Sequence, residues 1–108
     1  MPTYNKLVRD FIPKIILDAG QVCHTRILGE EEYITELTKK MHEELAEYEA
    51  AENTEDAIEE LADLLELIHA AASYHEITFE ELDKIRAQKA EKRGGFEERL
   101  FLLDVEEQ

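Results

Sequence analysis

Between Glu31 and about Glu52, apolar residues recur at intervals of three and four: Ile34, Leu37, Met41, Leu45 and Tyr48. That period predicts an amphipathic helix. Asn53 and Thr54 interrupt it, and either can cap the helix that follows. This second helix is expected to run to about His75, with Ile58, Leu61, Leu64, Leu65, Leu67, Ile68 and Ala72 as its apolar positions. Thr78-x-x-Glu81 has the form of a capping box and predicts a third long helix, to about Arg93, stopped by Gly94-Gly95. Upstream, a short helix is expected through Pro13 to Asp18, capped by Asp10 and ended by Gly20. Gln21 to Leu28 reads as an extended link or short strand. The tail from Arg99 to Val105 reads as a short strand or a docking arm. No linker or low-complexity stretch divides the chain, so residues 1–108 are expected to form one all-α domain.

Charge changes this picture most in the middle of the chain. From Met41 to Asp83 there are 15 acidic residues and no Lys or Arg, whereas elsewhere 12 basic and 12 acidic residues balance. The net charge is −15. Such a chain repels phosphate along most of its surface, which argues against general nucleic-acid binding. An anionic substrate would need a cation to mediate. A solvated acidic face is the plainer explanation of the acidic run, so spacing must decide between them.

Composition adds limits. Apolar residues make up 44% and charged residues 36% of 108 positions, compatible with a globular core. Cys23 is the one cysteine, which excludes an intramolecular disulfide and a thiolate zinc cluster within one chain. A reducing, cytoplasmic setting fits best. No apolar run approaches the roughly 18 residues of a membrane span. Lys6, Arg9, Asp10 and Lys14 interrupt Met1 to Leu17, which therefore lacks a signal-peptide core.

The acids in the two central helices follow a pattern. Glu43-Glu44-Leu45-Ala46-Glu47 is echoed by Glu59-Glu60-Leu61-Ala62-Asp63. Glu44 and Glu47, like Glu60 and Asp63, stand three apart, which makes them neighbours on one helix face. Measured from Leu61 at about 100° per residue, Glu60 falls near −100°, between Leu64 and Leu67, and Asp63 near −160°, just past the apolar arc. Measured from Leu37, Glu44 lies near −20°, at the edge of the apolar stripe, and Glu47 near −80°. Glu60 thus stands where a core helix wants leucine. A charge there is costly unless it is paired or holds a metal.

If Asn53-Thr54 forms the turn of an antiparallel hairpin, Glu47 pairs symmetrically with Glu60, and Glu44 with Asp63. All four carboxylates would then share one patch. Four hard oxygen donors on rigid elements suit Mg²⁺ or Mn²⁺ rather than a soft metal. Mg²⁺ commonly completes its shell with water and substrate phosphates, so an acidic protein can hold a phosphorylated substrate through it.

Glu43-Glu44-x-x-Glu47, a 12-residue spacer and Glu60-x-x-Asp63 together resemble the signature of the all-α nucleoside triphosphate pyrophosphohydrolases. This is the MazG-like superfamily, which includes the phosphoribosyl-ATP pyrophosphohydrolases. Lys40, three before Glu43, fits the same pattern. Lys6-Leu7-Val8-Arg9-Asp10 with Ile12-Pro13, and Gly94-Gly95-Phe96-Glu97 with Arg99, resemble a small single-domain branch. The likeness covers nearly the whole chain.

The resemblance implies a helical bundle built on a central acidic hairpin and completed by homo-oligomerisation, as a dimer or tetramer. It implies that Glu44, Glu47, Glu60 and Asp63 hold magnesium and that Glu43 activates water. The implied reaction is cleavage between the α and β phosphates of a nucleoside triphosphate, releasing a nucleoside monophosphate and pyrophosphate. Lys6, Arg9, Lys14 and Lys40 are candidates to hold the phosphates, with Lys89, Lys92 and Arg93 of the third long helix as further ones.

Other chemistries fit less well. Glu66-x-x-His69 is half of a di-iron carboxylate pattern, but it lies away from Glu60, and Lys39 stands three before His42. His42-Glu43 begins a zincin motif that Ala46 breaks. Cys23 lacks the spacing of a nucleophile. Two alternatives remain: phosphoribosyl-ATP as the substrate of the same chemistry, or a non-catalytic acidic helical protein that binds a nucleotide or a basic partner.

Overall fold

The computed structural model describes residues 2–107. Met1 and Gln108, the ends of the expected domain, lie outside the described residues. The architecture is all-α, with four helices and, among the described residues, no strand: α1 (Ile12–Asp18), α2 (Glu30–Ala50), α3 (Thr54–Tyr74) and α4 (Phe79–Arg93).

Local chemistry sets the helix ends. Glu30, Glu31 and Glu32 occupy the first turn of α2, where the helix dipole favours negative charge. Arg26 grips Glu32 with both arms of its guanidinium, at 2.9 and 2.6 Å, and so ties the preceding link to α2. Asn53 caps α3: its Oδ1 accepts the Asp56 N–H at 2.8 Å. At the far end of α3, Glu76 takes a left-handed backbone (φ 61°), and the N–H groups of Glu76 and Ile77 reach the carbonyls of Ser73 and Ala72, each at 3.0 Å. That is a Schellman ending without glycine. Thr78 caps α4: its Oγ1 accepts the Glu81 N–H at 3.1 Å and donates to Glu81 Oε1 at 3.0 Å, which is the N-cap half of the expected box. Gly94 ends α4 at φ 84°, a conformation that glycine adopts without strain.

Of the two readings of Gln21 to Leu28, the extended link holds and the short strand does not, and Arg99 to Val105 forms no strand either. Both stretches are largely exposed, and no neighbouring strand supplies the ladder that either would need. The N-cap of α1 is Phe11, without a side-chain bond, rather than Asp10. There the Arg9 carbonyl accepts the Ile12 N–H at 3.1 Å, and Pro13 in the first turn needs no partner for a missing N–H.

The main packing is α2 against α3, joined by Ala51, Glu52 and Asn53. Leu37 of α2 and Ala72 of α3 are the buried apolar residues among those described. Tyr33 and Tyr74 bring their rings to 6.3 Å between the same helices. His69 of α3 stacks on Phe79 of α4, with ring centres 3.7 Å apart, and α4 is otherwise mostly exposed. Much apolar surface stays uncovered, including Ile58, Leu61 and Leu65 on α3 and Leu45 and Tyr48 on α2. No helix among the described residues is long and apolar enough to cross a membrane.

Candidate metal centre

Glu44 and Glu47 of α2 and Glu60 of α3 each offer a carboxylate oxygen within one group, all within 4.8 Å of one another. Glu44 and Glu60 are half-buried and Glu47 is exposed. One oxygen of Glu44 and one of Glu60, Oε2 in each case, is shielded from solvent and has no hydrogen-bond partner. Two ionised carboxylates cannot bond each other, since both only accept. A proton or a cation between them would relieve the mismatch.

Without a cation the site answers with a proton. The facing carboxylate of Glu44 holds the Glu60 carboxyl up at about 7, and Glu47, partial burial and the surrounding negative charge push the same way. Burial raises Glu44 as well. The facing Glu60 partly offsets this, while Glu47 and the charge of Asp63 add to the rise. A proton on Glu60 turns an acceptor into a donor facing Glu44 and relieves the repulsion between the two carboxylates.

The hairpin symmetry expected from sequence gathers four acids, whereas the structure gathers three. Asp63, one turn beyond Glu60, accepts instead from Arg9: Nη2 to Oδ1 is 2.8 Å. Glu43 is exposed, with its Oε2 3.9 Å from the Lys40 ammonium. Lys40 is itself mostly covered, its side chain only 19% exposed.

The other basic candidates lie elsewhere. Lys6 sits over the Tyr4 ring at 5.7 Å, and Lys14 pairs with Asp18 at 2.8 Å. Lys89, Lys92 and Arg93 lie on the exposed far part of α4, and the last two flank its negative C-terminal end. Of the basic candidates, then, Arg9 is hydrogen-bonded to the acidic motif and Lys40 makes a loose ion pair with it, among the described residues. The link of Arg9 to Asp63 spans 54 positions and leaves no trace in local spacing.

The donor set fits a hard divalent cation. Its three carboxylates come from two rigid helices, and two of their oxygens point inward unpartnered.

No family model matches the chain, and no solved structure matches it. An uncharacterized protein of Mycolicibacterium smegmatis (strain ATCC 700084 / mc(2)155) is 41% identical over 54 residues, which cover 50% of this chain and 55% of that protein. The chain thus spans about half the length of the relative it matches.

Proposed function

We propose that this chain is a metal-dependent nucleoside triphosphate pyrophosphohydrolase of the MazG-like class. It would cleave the α–β anhydride to a nucleoside monophosphate and pyrophosphate, in the cytoplasm. The observation that carries this is the meeting of Glu44, Glu47 and Glu60 around two buried, unpartnered carboxylate oxygens. An interaction surface has no need of acids placed there, where each one costs desolvation.

Glu44, Glu47 and Glu60 would hold Mg²⁺ or Mn²⁺, with Asp63 as the fourth ligand. When bound, the metal supplies charge neutralisation at the phosphate oxygens. Glu43 precedes Glu44 on α2 and faces solvent. Its carboxylate would take a proton from the attacking water. The water oxygen ends on one of the two phosphorus atoms, the bridging P–O bond breaks, and its electron pair leaves with the departing phosphate. Lys40 sets the orientation of Glu43 and offers positive charge to the phosphates. Arg9 is the second cation within reach.

In this proposal α2 and α3 form an antiparallel hairpin. Support comes from its two ends, where Tyr33 meets Tyr74 and Glu44 meets Glu60. A homodimer or homotetramer would cover the apolar stripe that one chain leaves bare.

The test is incubation with a panel of nucleoside triphosphates and Mg²⁺ or Mn²⁺, resolving pyrophosphate from orthophosphate. Pyrophosphate release is expected, and its loss in both Glu44→Gln and Glu60→Gln. Release of orthophosphate alone would overturn the proposed bond. Silence with the whole panel moves the same assay to phosphoribosyl-ATP, and silence there leaves a binding role.

A further inference from the structure

Arg9 reaches the acidic face from a different part of the chain, and it does so at the acid that stands apart from the other three. Its Nη2 donates to Asp63 Oδ1 at 2.8 Å, which engages one carboxylate oxygen and a fraction of the five N–H donors of the guanidinium. The backbone at Arg9 is held by the turn that opens α1, through the Ile12 N–H, and by Leu7 and Val8, which are half-buried.

Both partners are on the surface: the Arg9 side chain is 57% exposed and that of Asp63 is 41% exposed. An exposed pair of this kind is a weak tie that a divalent cation can displace. Asp63 is also the fourth carboxylate of the proposed metal centre, so the Arg9 charge at its Oδ1 opposes a cation at the same group. A guanidinium released there would stand beside the metal with its planar fork free, the geometry suited to phosphate.

We infer that Arg9 exchanges partners during binding: it neutralises Asp63 in the metal-free protein, yields it to the metal, and then clamps a phosphate of the substrate. This rests on the proposed metal centre. Its signature is a pair of opposite effects from one substitution, since Arg9 opposes the metal but favours the phosphate. A merely structural role would weaken both.

The experiment measures Mn²⁺ affinity from the signal of free Mn²⁺ by electron paramagnetic resonance, and inorganic pyrophosphate affinity in saturating Mg²⁺ by calorimetry. Arg9→Gln should bind Mn²⁺ about two- to fivefold more tightly, the range set by a surface ion pair. It should bind pyrophosphate about tenfold more weakly or worse, the loss of a charge-assisted bond. Arg9→Lys keeps the charge but not the fork, and should recover only part of the pyrophosphate affinity. Unchanged affinities in Arg9→Gln, or changes of the same sign, would overturn the exchange. Equal Mn²⁺ binding by the unmodified protein and Glu60→Gln would overturn the metal centre itself, and the exchange with it.

Discussion

Glu60 concentrates the conflict in this protein. Its carboxyl faces that of Glu44, and the pair leaves one oxygen of each shielded and unpartnered. The folded chain therefore keeps a proton on Glu60 up to about pH 7, whereas the ordinary glutamate value is 4.5. Between those limits the native state binds more protons than the unfolded state, so stability falls as pH rises through the window. Above it the carboxylates repel in full, and the proposed divalent cation would relieve that repulsion. In chelator, the melting temperature of the unmodified protein should drop from pH 5 to pH 8 more steeply than that of Glu60→Gln, which has no proton to lose. Added Mg²⁺ at pH 8 should recover the loss in the former and do little in the latter. Parallel pH curves for the two proteins would remove the basis for a shared proton. This conflict was legible in the sequence, because the wheel places Glu60 inside an apolar arc. The detachment of Asp63 was not: symmetry about Asn53-Thr54 cannot register a competitor 54 positions away.

At the scale of elements, short-range chemistry decided most boundaries, and these the sequence predicts well. Asn53, the Thr78-x-x-Glu81 box and Gly94 act where their residue types say they should, because each works through its own backbone and near neighbours. What the sequence left open falls where a distant partner decides. Gln21 to Leu28 and Arg99 to Val105 can be read as strands or as extended segments, and a strand exists only against another strand. The Asn53 cap carries a second burden, since it stands in the three-residue connection that sets Glu60 against Glu44. Asn53→Ala should cost about 1 kcal/mol in urea unfolding, and Asn53→Gly only a few tenths, because glycine keeps the backbone geometry of a cap. If neither substitution costs stability, the Asn53 side chain is not the cap that positions the site. The pairing of the acids within one helix could be read from the three-residue spacing. The pairing across the connection depends on its length and on packing at Leu37 and Ala72, which periodicity alone does not fix.

Across the whole molecule, surface is the dominant fact. The radius of gyration is 18.7 Å, whereas a compact chain of this length has about 13 Å. The accessible surface is 10274 Å², against about 6,200 Å² for a compact monomer of this mass. The excess is close to 4,000 Å², more than the roughly 2,500 Å² that one chain gives even to a large obligate interface of about 5,000 Å². One face against one partner would not absorb it, so in the proposed oligomer the exposed arms would contribute too, among them the tail from Leu100 to Val105. The strip Ile58, Leu61 and Leu65 marks where the proposed partner would meet the hairpin, since it continues the apolar arc of α3 beyond what α2 covers. A charge placed on this strip stays wet in a lone chain and is costly only when a second copy buries it. By sedimentation velocity the unmodified protein should run as a dimer or tetramer. Leu65→Glu should shift it toward the monomer, while Glu66→Gln, an exposed neighbour, should leave it unchanged. A monomer of the extended shape seen here, at micromolar concentration and with no change in Leu65→Glu, would show that the chain tolerates its bare apolar face alone.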